Sequence, residues 1–164
     1  MYFGIVGERR GIFDAISAVK KGIENGLNIK LILIGPVDKM DKEKFDKALK
    51  EDSIRESVEH IPWIQLSGLV TYMSISDILL SPLHKNKQHE SGVANKVYQY
   101  MFGKKPLIVS DCKPQRELVE NFNCGLSYSS QEELVSCITR LYENPELREK
   151  MGENGFNKLY EHYD

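Results

Sequence analysis

Two short stretches carry side chains able to hold an anion. The first is GERRG, residues 7–11, in which Arg9 and Arg10 sit between two glycines directly ahead of a helical pattern, Ile12, Ile16, Val19 and Ile23. The first amides of a helix lack intrahelical partners and carry partial positive charge, and two guanidinium groups add full charges with fork-shaped donors. Arginines at a helix start run against the dipole, which favours acids there, and a bound anion removes that conflict. Gly7 permits a tight turn, and Gly11 allows backbone to approach a ligand closely. The competing reading of the same residues is a basic turn facing solvent.

The second stretch is SGVANKVYQYMFGKKPLIVS, residues 91–110. Ser91 and Gly92 lead into a helix whose apolar side is Val93, Val97, Tyr100 and Met101, while Asn95, Lys96 and Gln99 crowd one flank of its first turns. Lys96 can meet a phosphate, and Gln99 can both donate to and accept from a hydroxyl. Taken alone, such a flank is also what a solvated helix face looks like. Neither stretch is a standard nucleotide signature: GIVGERRG lacks G-x-G-x-x-G, and no G-K-[ST] follows a glycine run.

Positioning these groups requires a frame, and the alternation of short apolar runs with helical patterns supplies one. Strands are predicted over Tyr2–Val6, Ile29–Ile34, Val58–Ile61, Ile78–Pro82, Leu107–Ser110 and Gly125–Tyr128. The first helix stops at Asn25-Gly26, residues 39–51 form a charged and exposed helix, and Leu66, Leu69, Val70 and Met73 make an apolar face after Trp63. Ser130 and Glu133 form a capping box for a helix that ends at Asn144-Pro145, and the tail is helical with interruptions at Gly152 and Gly155. Strands apolar throughout and separated by helices imply an α/β fold: a doubly wound, mostly parallel six-stranded sheet with helices on both faces. Right-handed crossovers then bring the loops 7–11, 35–38, 61–64, 82–95 and 111–114 to the carboxyl edge, where such sheets bind ligands. Both cationic stretches lie on that edge, which suits a diphosphate held between two loops.

The totals narrow the class. A chain of 164 residues, 41% hydrophobic and 28% charged, fits one ordinary globular domain over 1–164. A net charge of −2 argues against a nucleic-acid partner, and no apolar run reaches the length of a membrane span. Three cysteines without a C-x-x-C pair, and an N-terminal stretch with no secretory leader, point to a reducing, cytoplasmic setting. His84, His89 and Glu90 in HKNKQHE match no zinc spacing, and no D-x-D occurs, so no metal is expected; a contact to a ligand sugar suits that loop better. His60 and His162 read as structural or exposed, and Glu117, in the helix after the fifth strand, reads equally as a site position or as an exposed first-turn acid.

The segments YFGIVGERRGIFDAI, LILIGP, SISDILLSP and NKVYQYMFGKKPLIVS, in this order and spacing, resemble the C-terminal half of a GT-B glycosyltransferase of the family 4, group 1 type, from about residue 2 to 155. NKVYQYM followed by GKKP is the most specific block. The resemblance implies a Rossmann-like domain that holds the diphosphate of a nucleotide-sugar donor, most simply a UDP- or GDP-sugar, as a substrate and without a cofactor. It places Arg10 at the basic residue of a (K/R)-G element with Arg9 as a second cation, and Lys96 beside the diphosphate or the sugar. Gln99 stands where the family commonly has a ribose-binding glutamate, so hydrogen bonding survives but the charge-assisted acceptor is lost. Of that family's E-x7-E pair, the position eight before Gln99 is Ser91, with Glu90 one residue off. The loop of Ile61, Pro62 and Trp63 lies where the family places the base; Trp63 itself reads first as a buried residue opening a helix. The resemblance further implies retention of configuration, no metal, an acceptor-binding N-terminal domain that this chain does not contain, and no transfer by the chain alone. Peripheral membrane contact would belong to the full enzyme. A GT-B-like sugar-nucleotide epimerase half and a non-catalytic nucleotide-binding or signalling module remain the alternatives; a phosphoacceptor receiver would need acids where GERRG and IPW stand.

Overall fold

Six apolar runs become strands: β1 (Tyr2–Phe3), β2 (Leu31–Ile34), β3 (Val58–Ile61), β4 (Leu79–Ser81), β5 (Leu107–Ser110) and β6 (Gly125–Tyr128). They are seen in a computed structural model that describes residues 1–163. Every strand pairing is parallel, with Tyr2 opposite Leu33, Ile34 opposite Ile61, Ser81 opposite Val109 and Ser110 opposite Tyr128. The strands form two three-stranded sheets, β1-β2-β3 and β4-β5-β6. At the seam the Leu80 amide donates to the Met1 carbonyl at 2.9 Å. Laid side by side the order is 3-2-1-4-5-6, a doubly wound arrangement whose switch point falls between β1 and β4.

The expected single sheet is thus divided, and the reason is local. The first strand lasts two residues, not five, because Gly4 turns the backbone to φ 142° and breaks the ladder; a lone bridge from Val6 to Val37 follows. The second and fourth strands are likewise trimmed to Leu31–Ile34 and Leu79–Ser81.

Seven α-helices cover the sheets among the described residues: α1 (Ile12–Glu24), α2 (Lys42–Leu49), α3 (Leu66–Ser74), α4 (Asn95–Phe102), α5 (Lys113–Phe122), α6 (Gln131–Glu143) and α7 (Pro145–Tyr163). Because successive strand residues point to opposite faces, the strands feed two cores. Leu33, Leu80 and Ile108 join Ile12, Ile16 and Val19 of α1 and Leu134, Ile138 and Leu141 of α6. Ile34, Leu79 and Leu107 join Leu69 and Met73 of α3, Val97, Tyr100 and Met101 of α4, and Val119 of α5.

Three helix readings change in the structure. Helix α3 buries Leu69 and Met73 but leaves Leu66 and Val70 about two-thirds exposed (65% and 66%), because only one side of this short helix meets the sheet. Trp63 precedes that helix in solvent, 74% exposed, so the buried reading is overturned. Helix α7 runs unbroken through both glycines, since each lies where another segment comes close: a Cβ at Gly152 would sit 2.1 Å from the Lys104 carbonyl oxygen. The capping box is half reciprocal: Ser130 Oγ accepts from the Glu133 amide at 3.1 Å, while the Glu133 carboxylate accepts from Ser129. All three cysteines are free. Burial raises the pKa of each thiol, to about 12 for Cys124, so they serve as small apolar groups. No helix among the described residues is long and apolar enough to cross a membrane.

Candidate functional site

The GERRG turn folds as a single 3-10 turn, Glu8–Arg10, followed by Gly11 in the left-handed region at φ 76° as the N-cap of α1. A side chain at Gly11 would place its Cβ 1.6 Å from the Pro82 carbonyl oxygen. The glycine therefore serves a close approach of chain to chain. Gly7, itself extended, opens this turn, its carbonyl accepting from the Arg10 amide at 3.2 Å, and a Cβ there would meet Asp41, whose Oδ2 accepts from the Glu8 amide at 3.0 Å. Glu8 in turn pairs with Lys44 at 2.6 Å. Neither Arg9 nor Arg10 forms an ion pair among the described residues.

The segment after β4 is stitched to this turn. The His84 amide donates to the Arg9 carbonyl at 3.0 Å, and the His84 ring meets Asp14 of α1 at 2.7 Å. Beneath it, buried Gln115 of α5 bonds Ser81 and Ser110, and Ser110 Oγ donates to the Leu83 carbonyl. These bonds tie the ends of β4 and β5 together and fix where residues 82–84 leave the sheet. Sequence reasoning missed Gln115, whose type alone gives no sign of burial.

Helix α4 then delivers Lys96. Only part of its polar flank faces solvent: Lys96 is 8% exposed and buried, as are Val97, Tyr100 and Met101, whereas Asn95 is exposed and Gln99 half-buried. The Lys96 Nζ lies 4.1 Å from the centroid of the Tyr2 ring and has no hydrogen-bond partner. Gly4, a second residue missed from the sequence, makes this possible, since a Cβ there would come within 2.8 Å of that nitrogen. Burial, and after it the Arg10 guanidinium, pulls the Lys96 pKa from 10.5 to about 7. The two cationic loops therefore converge closely enough for Arg10 and Lys96 to feel each other's charge, across the switch point between β1 and β4.

The other residues singled out spread around this centre. Ser91 and Gly92 are exposed, with Ser91 Oγ donating to the Gln88 carbonyl, and Val93 is half-buried against the second core. Glu90 accepts at 3.1 Å from the Lys113 amide at the start of α5. Ile61 ends β3 half-buried, and Trp63 projects into solvent on the same carboxyl edge. A cleft of about 430 Å³ lined by Ile29, Ile32, Asp77, Leu80 and Arg148 lies at the amino ends of the strands and contains none of these residues. Ligands of doubly wound sheets bind at the opposite edge.

Residues 1–158 match the model of the family described as glycosyl transferases group 1. The chain belongs to that family. It is 21% identical over 156 residues to an alpha-D-kanosaminyltransferase of Streptomyces kanamyceticus, covering 94% of this chain and 39% of that protein, so it spans well under half the length of this curated relative. Among solved structures, Anabaena HepE in complex with UDP-glucose superposes with a TM-score of 0.85 at 15% identity, covering 99% of this chain and 44% of that one. The C-terminal domain of the group 1 glycosyl transferase LpcC of Francisella tularensis superposes with a TM-score of 0.82 at 17% identity, covering 99% of this chain and 86% of that domain. These likenesses show the fold, a Rossmann-like half of the GT-B type.

Proposed function

We propose that this chain is the donor-binding domain of a glycosyltransferase that uses a nucleotide-diphosphate sugar. The observation that carries the reading is Lys96: a buried ammonium without a hydrogen-bond partner, beside Arg10, on the ligand-binding edge of the sheet. Leaving such a group unpaired costs free energy, and a diphosphate between the two loops would recover it. The solved relative that holds UDP-glucose supports this choice of ligand class. As the bond between sugar and phosphate breaks, negative charge grows on the departing diphosphate; Lys96, Arg10 and Arg9 would stabilise it without a metal ion, with retention at the sugar. Gln99 and Asn95 would meet the ribose and phosphate from the start of α4, and Trp63 with Ile61 would border the base. An acceptor-binding domain ahead of this one would complete the enzyme.

Calorimetric titration of the purified chain with UDP, GDP and ADP tests the reading, repeated on Arg10→Ala and Lys96→Ala. Binding by at least one nucleotide, weakened about tenfold or more by either substitution, is expected, since one charged hydrogen bond contributes about 1.5–3 kcal/mol. Absence of binding at millimolar nucleotide, or indifference to both substitutions, overturns it.

A further inference from the structure

A second buried polar atom beside the cations remains unused. His89 is 7% exposed, although it belongs to a loop between a strand and a helix. Its ring nitrogen Nδ1 lies 2.6 Å from the His84 carbonyl oxygen and 3.1 Å from Asn86 Nδ2, while Asn86 Oδ1 accepts from the His89 amide at 2.8 Å; the carbonyl is the closer partner, and only a protonated nitrogen can bond it. With the proton fixed on Nδ1, the neutral ring presents a bare lone pair at Nε2. That Nε2 is buried and has no hydrogen-bond partner.

Its surroundings are one-sided. Burial holds the ring's pKa below the ordinary 6.5 against the opposing pull of the His84 carbonyl, and Arg10, Lys96 and Arg9, from the GERRG turn and from α4, push it further down. The nearby acids are engaged elsewhere: Asp14 with His84, Asp111 with Lys85, and Glu90 with the Lys113 amide. Burial and three cations keep the ring neutral, so its buried Nε2 stays without a partner until an anion enters and favours the protonated ring.

We infer that His89 is a third ligand of the donor diphosphate, taking up a proton at Nε2 when the anion arrives and donating it in a hydrogen bond to a phosphate oxygen. This rests on the donor-binding reading above and adds to it a residue and a proton. The proton comes from solvent and returns to it on release, so no other reactant is needed. Neither Nε2 nor the Lys96 Nζ is open to solvent, so the groups that cover them must move aside for the ligand to reach them.

Imidazole proton resonances followed by NMR from pH 5 to 9 test this, with and without saturating UDP, GDP or inorganic pyrophosphate, and with His89→Asn to assign the signal among four histidines. The His89 midpoint is expected to rise by about one pH unit or more on ligand binding, the effect of an opposite charge within hydrogen-bond reach. His89→Gln, which sets an uncharged donor near the Nε2 position, should retain more affinity at pH 6 than His89→Asn, and both should lack the ring's share of the proton uptake measured calorimetrically in buffers of different ionisation enthalpy. Circular dichroism establishes that the variants are folded. Ligand binding that leaves the His89 midpoint unmoved, or proton uptake unchanged in both variants, overturns the role of His89 while leaving donor binding intact. Failure of every nucleotide and of pyrophosphate to bind the wild-type chain overturns the donor-binding reading and this inference together.

Discussion

A lysine is usually placed in water by its own charge, but at Lys96 the fold overrides that preference. Its stem is held by Tyr2 and the core of α4, and its ammonium rests on an aromatic face rather than on a carboxylate. The pKa of about 7 in the folded state lies below the value of 10.5 in the unfolded chain. Between these values the unfolded state binds more protons, so stability rises with pH from about 7 toward 10, by up to about 1.4 kcal/mol per pH unit. Lys96→Met keeps the stem and removes the charge. It is expected to melt at a higher temperature than wild type at pH 7, to lose the rise in stability over this alkaline range, and to lose nucleotide affinity. Thermal melts at pH 7 and pH 9, beside a UDP titration, check all three; a methionine variant less stable than wild type at pH 7 would mean that the ammonium is already satisfied.

At the scale of elements, much was legible and the omissions have causes. Strand cores, the stop at Asn25-Gly26 and the end of α6 at Asn144-Pro145 follow from patterns that local backbone chemistry enforces. Strand ends did not, because Gly4 ends β1 through a left-handed backbone that the letters Y-F-G-I-V do not display. Nor could periodicity show that Leu66 and Val70 face solvent: a helix pattern identifies an apolar face, not whether anything covers all of it. The contrast gives a pair of expectations for chemical denaturation. Leu69→Ala should cost about 2–4 kcal/mol by opening the second core, whereas Val70→Ala one residue on should stay within about 0.5 kcal/mol. The candidate site was half legible. Arg9, Arg10 and Lys96 stand out by type and spacing, and His89 only as part of a loop suited to a sugar contact, whereas Gly4 and Gln115 act through burial and approach, which arise only in three dimensions. Gly11 joins both groups. Gly11→Ala would force a Cβ into the Pro82 carbonyl at a left-handed position, so a loss of about 2 kcal/mol or more and a weakened grip on nucleotide are expected together. A melt unchanged from wild type would show that the two loops are not in contact.

For the whole molecule, the two half-sheets must stay in register for Arg10, which follows β1, to face Lys96, which follows β4. A backbone hydrogen bond from Leu80 to Met1 crosses the seam, and α7 braces the second half from behind. That helix serves both cores: Met151 packs in the first, Leu159 in the second, Gly152 lies against the Lys104 carbonyl and Gly155 against Cys124. Ending the chain at Asn144 would uncover both faces at once. Burial of Met151 and Leu159 alone contributes about 1.5–3 kcal/mol each, against a total of about 5–15 kcal/mol for an ordinary domain. A shortened chain, residues 1–144, is therefore expected to melt at least about 8 °C lower and to bind UDP more weakly, even though α7 contributes none of the proposed ligands. Gly152→Leu, which drives a side chain into the Lys104 carbonyl, should reproduce the direction of that loss by pushing α7 away. If the shortened chain keeps both its melting temperature and its nucleotide affinity, the alignment of the half-sheets is held at the β1–β4 seam itself, and α7 plays no part in presenting the site.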